Sequence, residues 1–252
     1  MIENESTSDN NEYLIKMENN LVNSETIDIN DQNFQKMMFL YNSALKEIKT
    51  KMEILQDELK IFSDYEPIEY ISTRIKKPES ILEKLKRKNL APTYGNMFQE
   101  INDIAGIRIV CNFKKDVYKL VEIIEDFQDI RILNRKDYLK KPKKSGYMSY
   151  HLIAEVPVNF SSGIMYVKVE IQLRTLGMDF WASLEHKLKY KNAKITKNES
   201  NNLVKYAKII NSIDENMLTI SNRLEKEQKE NVMIEAADSK EDLSKKKIFF
   251  KL

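Results

Sequence analysis

Glu170 and Gln172 stand two residues apart in the segment 164–174, where Met165, Val167, Val169, Ile171 and Leu173 alternate with Tyr166, Lys168, Glu170, Gln172 and Arg174. A period of two puts each set on one face of a strand. Glu170 and Gln172 can then act on one ligand if their face lines a cleft, although an ordinary solvated face of an antiparallel sheet has the same pattern. A second predicted strand, 146–158, puts Tyr147, Ser149 and His151 on one side and Met148, Tyr150, Leu152, Ala154 and Val156 on the other. Lys140, Lys141, Lys143 and Lys144 precede it directly. Ammonium groups, a glycine hinge, an aromatic ring and an imidazole at one end of a strand suit a loop that grips a phosphorylated, stackable ligand. A solvated lysine-rich turn is the plainer alternative. The apolar segment 104–111 has Asp103 at its entrance and Arg108 within it. Asp103 and Glu170, distant in sequence, could together hold a hard divalent cation of the kind that accompanies nucleoside triphosphates.

Four ordered segments make the pattern specific: Arg74 to Lys84 (RIKKPESILEK), Asp103 to Arg108 (DIAGIR), Ser145 to His151 (SGYMSYH) and Glu170 to Thr175 (EIQLRT). Together they resemble the signature of the RelA/SpoT-type alarmone synthetases, most closely the small single-domain branch. The resemblance runs from about Ser43 to Lys191. It implies transfer of the β,γ-pyrophosphate of ATP to the 3′-hydroxyl of GDP or GTP, giving AMP and ppGpp or pppGpp.

Under that resemblance each matching residue takes a role its chemistry supports. Arg74 and Arg108 match the pair that sandwiches adenine, a task for a planar, permanently charged guanidinium. Lys76, Ser80, Lys84 and Arg87 match positions near the ATP phosphates. The last three share one helix face, and a Ser80–Glu83 capping box is the structural alternative. Asp103 and Glu170 match a Mg²⁺ site, with Glu170 also placed to take the proton from the attacking hydroxyl. Tyr147 matches the ring that stacks on guanine, while Lys143, His151, Gln172 and Asp179 match guanine-nucleotide contacts, and Lys136 is a further phosphate candidate. Two departures stand out. Met148 occupies a position where small members often carry Arg, and Asp179 one where relatives can carry Asn.

His151 and His186 are the only histidines, too few for the His- and Asp-rich metal site of the hydrolase half of bifunctional relatives, so no hydrolase activity is expected. His186 is read as structural. A length of 252 residues with 42% apolar content supports one sizeable core, without room for large regulatory domains. The net charge of +2 gives no global pull toward nucleic acid or membrane. This disfavours the rival acceptor, a tRNA 3′ end. Asp103 and Glu170 disfavour the other rival, a non-catalytic nucleotide- or RNA-binding regulator using the Lys140–Lys144 loop. The single Cys111 reads as an inert core thiol, and without a signal peptide or long apolar run the expected setting is cytoplasmic.

Three regions follow. Residues 1–30 hold seven acidic residues against one lysine and read as a flexible extension. Residues 31–230 form the synthetase domain with its terminal helices, and 231–252 are a charged tail expected to fray. Met38, Tyr41, Leu45, Ile48, Met52, Leu55, Leu59 and Phe62 mark one long helix; Leu203, Tyr206, Ile210, Ile213, Met217, Ile220 and Leu224 mark another. These stripes could bury each other or pair with another subunit. The small-synthetase resemblance implies a homo-oligomer, with a tetramer favoured. The expected fold is α/β and nucleotidyltransferase-like: a mixed sheet of about five strands flanked by helices.

Overall fold

The computed structural model describes residues 26–249 apart from 64, 162 and 192–194. Five strands form one mixed sheet in the order β1-β2-β5-β4-β3, comprising β1 Ile68–Ile75, β2 Ala105–Cys111, β3 Arg131–Asp137, β4 Tyr150–Phe160 and β5 Gly163–Thr175. Only β2 and β5 run parallel; the other neighbours are antiparallel.

The alternation in β5 divides the sheet into two functional faces. Val167, Val169, Ile171 and Leu173 join Ile107, Ile109 and Cys111 of β2 and Leu152, Ala154 and Val156 of β4 in the main core. Against this face lies the long helix α1 (Gln32–Ser63), which buries Phe34, Met37, Leu40, Tyr41, Ala44, Leu45, Ile48, Met52 and Leu55. Helix α3 (Tyr94–Glu100) adds Tyr94 and Met97 to the same core, and helix α4 (Lys114–Glu125) adds Val117, Leu120, Val121 and Ile124. Each large aliphatic side chain buried this way contributes about 1.5–3 kcal/mol.

Three sequence expectations change here. First, α1 packs on the sheet rather than on the other long helix, α6 (Lys197–Phe249); its end frees Phe62, which is 83% exposed. An amphipathic stripe requires an apolar partner but does not name it, and the sheet supplies the larger surface. Second, α6 stays helical through Phe249 instead of fraying after Lys226, with Arg223–Glu227 and Lys226–Glu230 pairs one turn apart along it. Third, of the proposed flexible extension, residues 1–25 lie outside the described part, whereas Ile27 is buried and its N–H donates to Pro92 O at 2.8 Å. That apolar anchor docks the segment just before α1.

Helix α2 (Pro78–Arg87) starts with Pro78 and is capped by Lys77 without a side-chain bond, so the Ser80–Glu83 capping box, the structural alternative for these residues, does not form. Proline's fixed φ sets the first helical position and leaves Ser80 inside the first turn. A capping box does open α6, where Thr196 Oγ1 accepts from the Glu199 N–H at 3.2 Å and Glu199 Oε2 accepts from the Thr196 N–H at 2.7 Å. Among the described residues no helix is long and apolar enough to cross a membrane.

Candidate active site

The opposite face of the sheet carries the chemistry, and strand register assembles it. Ser72 pairs with Arg108, Arg108 with Gln172, Gln172 with His151, and His151 with Lys136, so one row crosses all five strands. In the next row Arg74 lies opposite Gly106 and Gly106 opposite Glu170. The Arg74 side chain lies close over Gly106, its Nε 3.4 Å from where a Cβ would stand.

This row borders a cleft of about 590 Å³, lined by Arg74, Lys84, Asp103 and Arg108 on one side and by Lys136, Lys143, Tyr147 and His151 on the other. Glu170 and Gln172 lie between them. A smaller pocket of about 160 Å³ between Arg74 and Arg108 opens beside it, with Ser72, Thr73 and Gly106 in its wall. The two carboxylates expected to converge thus face one space. Asp103 accepts from Lys84 Nζ at 2.7 Å and Lys76 Nζ at 3.0 Å. Burial pushes its carboxyl up, but these two ammonium groups outweigh it and leave the group below the ordinary aspartate range. Glu170 behaves alike: burial raises it, hydrogen bonds from His151 and Gln172 bring it below the usual value, and the charge of Asp103 opposes them. That mutual repulsion would be relieved by a cation between them.

The acceptor side is a closed polar network. Gln172 Nε2 donates to Glu170 Oε2 at 2.6 Å, and His151 Nδ1 lies 3.0 Å from Glu170 Oε1. Tyr147 Oη is 2.9 Å from His151 Nε2, and the two rings meet edge to face. Lys143 Nζ sits 4.7 Å from the centre of the Tyr147 ring and 4.5 Å from that of Tyr138. Burial lowers the Lys143 ammonium and the His151 imidazole, so His151 is held neutral.

Asp179, near the start of α5 (Leu176–Lys191), is buried and faces inward. Arg108 at 3.1 Å and Arg174 at 3.4 Å pair with its Oδ1, and Tyr70 donates to its Oδ2 at 2.6 Å. Of the remaining expected residues, Ser80 is half-buried and Arg87 exposed; both lie on the helix face that carries Lys84, outside the residues lining the cleft. Met148 is buried.

The expected strand beginning at Gly146 instead starts at Tyr150. Gly146 adopts φ +91° and its N–H donates to Lys143 O at 2.8 Å, turning the chain before β4 begins. The polar face of β5 is also far from solvated: Gln172 and Arg174 are buried beneath the loop and α5. Nothing in the sequence pattern marks Arg174, Tyr70 or Tyr138 for a role, and His186, expected to be structural, lines the cleft with Ser183, Glu185 and Lys187. Ser183 and His186, three apart on α5, line that cleft, whereas Asp179, one turn earlier, is not among its lining residues and its carboxylate is taken up by Arg108, Arg174 and Tyr70.

Comparison with known proteins agrees with this geometry. The family model for the region found in RelA / SpoT proteins matches residues 73–195. The chain is 42% identical over 195 residues to GTP pyrophosphokinase YwaC of Bacillus subtilis, covering 77% of this chain and 93% of that protein. Its structure resembles the crystal structure of small alarmone synthetase 2 from Bacillus subtilis (TM-score 0.67, 42% identity, 74% of this chain and 97% of that one). It also resembles small alarmone synthetase 1 from the same organism bound to its product pppGpp (TM-score 0.71, 34% identity, 77% and 98%). The fold and its sheet face are thus those of an α/β synthetase of the RelA/SpoT type. The chain belongs to the small alarmone synthetases within that family.

Proposed function

We propose that this protein is a (p)ppGpp synthetase, a GTP diphosphokinase that moves the β,γ-pyrophosphate of ATP onto the 3′-oxygen of GDP or GTP. The observation that carries the reading is the meeting of Asp103 and Glu170 in one cleft, between an arginine- and lysine-rich side and a side closed by Tyr147. The names of its relatives support the same activity.

ATP enters on the β1–β2 side, its adenine between Arg74 and Arg108 and its phosphates over Lys76, Lys84, Ser80 and Arg87. The guanine nucleotide stacks on Tyr147, with Lys136, Lys143, His151 and Gln172 around it and Asp179 behind them, held by Arg108, Arg174 and Tyr70. The 3′-oxygen attacks the β-phosphorus, the bond from that phosphorus to the oxygen bridging to the α-phosphate breaks, and AMP leaves. Glu170, held below the usual carboxylate range by its bonds from His151 and Gln172, accepts the hydroxyl proton; a positioned base of this kind adds about 10² to 10⁴ in rate.

Asp103 and Glu170 offer the hard oxygen donors that Mg²⁺ takes alongside substrate phosphates. Among the described residues no cluster of three or more His, Cys, Asp or Glu forms a self-sufficient metal cage, so Mg²⁺ would be held jointly with ATP, where it offsets phosphate charge. Before ATP arrives, Lys76 and Lys84 neutralise Asp103.

The assembly is proposed to be a homo-oligomer, a tetramer by preference. Ile213, Met217, Ile220 and Leu224 of α6 are 48–55% exposed at heptad spacing, a seam without an apolar partner within the described chain. The setting is proposed to be cytoplasmic. Incubation with labelled ATP and GMP, GDP, GTP or tRNA tests the function: label on GDP or GTP with release of AMP is expected. Label on tRNA alone, or on nothing, refutes it.

A further inference from the structure

Arg174 is 2% exposed, and burial lowers the pKa of its guanidinium. Its Nε lacks a hydrogen-bond partner. Burying a cation this way carries a desolvation cost that an apolar residue of similar volume would not. What the guanidinium touches explains its presence. Its Nη1 faces the counter-charge of Asp179 Oδ1 at 3.4 Å, while Nη2 donates to both Gln172 Oε1 at 2.6 Å and Tyr147 Oη at 2.9 Å.

We propose that Arg174 is a positioning residue that roots two directed hydrogen-bond chains, one ending on each carboxylate oxygen of Glu170. The assignment of Glu170 as base rests on the synthetase reading above. A guanidinium only donates. Gln172 must therefore turn its carbonyl oxygen to Arg174, which leaves its NH₂ group to donate to Glu170 Oε2 at 2.6 Å. Tyr147 Oη likewise accepts from Arg174, and because Glu170 only accepts at His151 Nδ1, the Tyr147 hydrogen is the one that serves His151 Nε2, 2.9 Å away. A neutral imidazole whose Nε2 accepts carries its proton on Nδ1. That proton points at Glu170 Oε1, 3.0 Å away.

Both chains deliver a hydrogen to Glu170, one to each oxygen, which fixes the plane of its carboxylate. An ionised carboxylate has about four acceptor positions, so two remain for the substrate hydroxyl and a metal. The same root sets the ring of Tyr147, which links acceptor stacking to the orientation of the base. Without Arg174 the far ends of both chains, the Gln172 carbonyl and the Tyr147 hydroxyl, lose their donor and their fixed position, although Glu170, which only accepts, still draws a hydrogen from Gln172 Nε2 and from His151 Nδ1. Lysine would not replace it, because a single ammonium lacks the planar fork that reaches these partners together.

The test pairs kinetics with a spectroscopic readout that a merely structural role would not move. The chain has two histidines, so the ¹⁵N-imidazole signals of His151 are assigned by their loss in His151→Gln. At about pH 8, where imidazole is neutral, wild-type protein should show His151 protonated on Nδ1 with Nε2 shifted by an accepted hydrogen bond, and Arg174→Lys and Tyr147→Phe should both move the Nε2 signal toward that of a free acceptor. Arg174→Lys should lower kcat about 100-fold, the scale of a small misplacement of a reacting group, while shifting KM for ATP less than about threefold. Tyr147→Phe, which retains the ring, keeps the test open if the Arg174 variant does not fold. Wild-type His151 protonated on Nε2, or Arg174→Lys with unchanged kcat, would overturn the proposal. Wild-type protein that transfers no pyrophosphate would instead remove the synthetase reading, while the tautomer spectra would still decide the network.

Discussion

Replacing Gly146 with alanine should weaken guanine-nucleotide binding and leave ATP binding almost untouched. At φ +91° an L-residue is strained by about 1–2 kcal/mol. The new Cβ would stand 2.7 Å from Ala207 Cβ on α6, 3.4 Å from Val204 Cα and 3.5 Å from Trp181 Cζ2. The first of these is well inside a normal carbon contact, and overpacking of this kind costs about 1–3 kcal/mol. Helix α6 is poorly placed to yield: Trp181 Nε1 donates to Leu203 O at 2.9 Å, Lys114 Nζ donates to Asn211 Oδ1 at 2.6 Å, and Thr175 donates to Asp214. The combined strain of about 2–5 kcal/mol is relieved instead by displacing the loop, and with it Tyr147. Base stacking on an aromatic ring is worth about 1–3 kcal/mol, so KM for GDP or GTP should rise about 5- to 150-fold. The assay is steady-state synthesis with each substrate varied in turn. Combining Gly146→Ala with Ala207→Gly removes the steric part alone and should recover part of the loss. Equal rises in both KM values, or no rise at all, would refute this reasoning.

Glu170→Gln should reduce synthesis by about 10² to 10⁴ while nucleotide binding measured by calorimetry persists; retained turnover would deny Glu170 the role of base. Asp103 and Glu170 both have folded-state pKa values below their ordinary ones, so the stability they contribute is complete above the ordinary carboxylate range of about 4 and is lost as pH falls through the lower folded values. Thermal melts from neutral to acid pH should therefore fall more steeply for wild type than for Asp103→Asn; parallel curves would contradict the Lys76–Asp103–Lys84 cluster. Charging the exposed seam with Met217→Glu should lower the molar mass measured by light scattering, and an unchanged mass would exclude that seam as the subunit contact.

Local sequence already carried much of the site. Strict alternation over 164–174 fixed β5 and which residues face the core, because side-chain direction in a strand depends only on parity. The order of the Arg74, Asp103, Tyr147 and Glu170 segments identified the family, and residue chemistry separated a cationic donor side from an aromatic acceptor side. Amphipathic spacing located both long helices.

The partners of those elements were not legible. The stripe of α1 could meet any apolar surface, and only the assembled sheet decided that it covers β1, β2, β4 and β5 while the seam of α6 remains exposed. Arg174 read as one more polar residue on an outward face, since parity gives a direction and not what lies over it. The row from Ser72 to Lys136 and the convergence of Asp103 with Glu170 depend on strand register and on the parallel pairing of β2 with β5. Register is set by long-range pairing among segments far apart in the chain, and a shift of one residue would send each of these side chains to the opposite face.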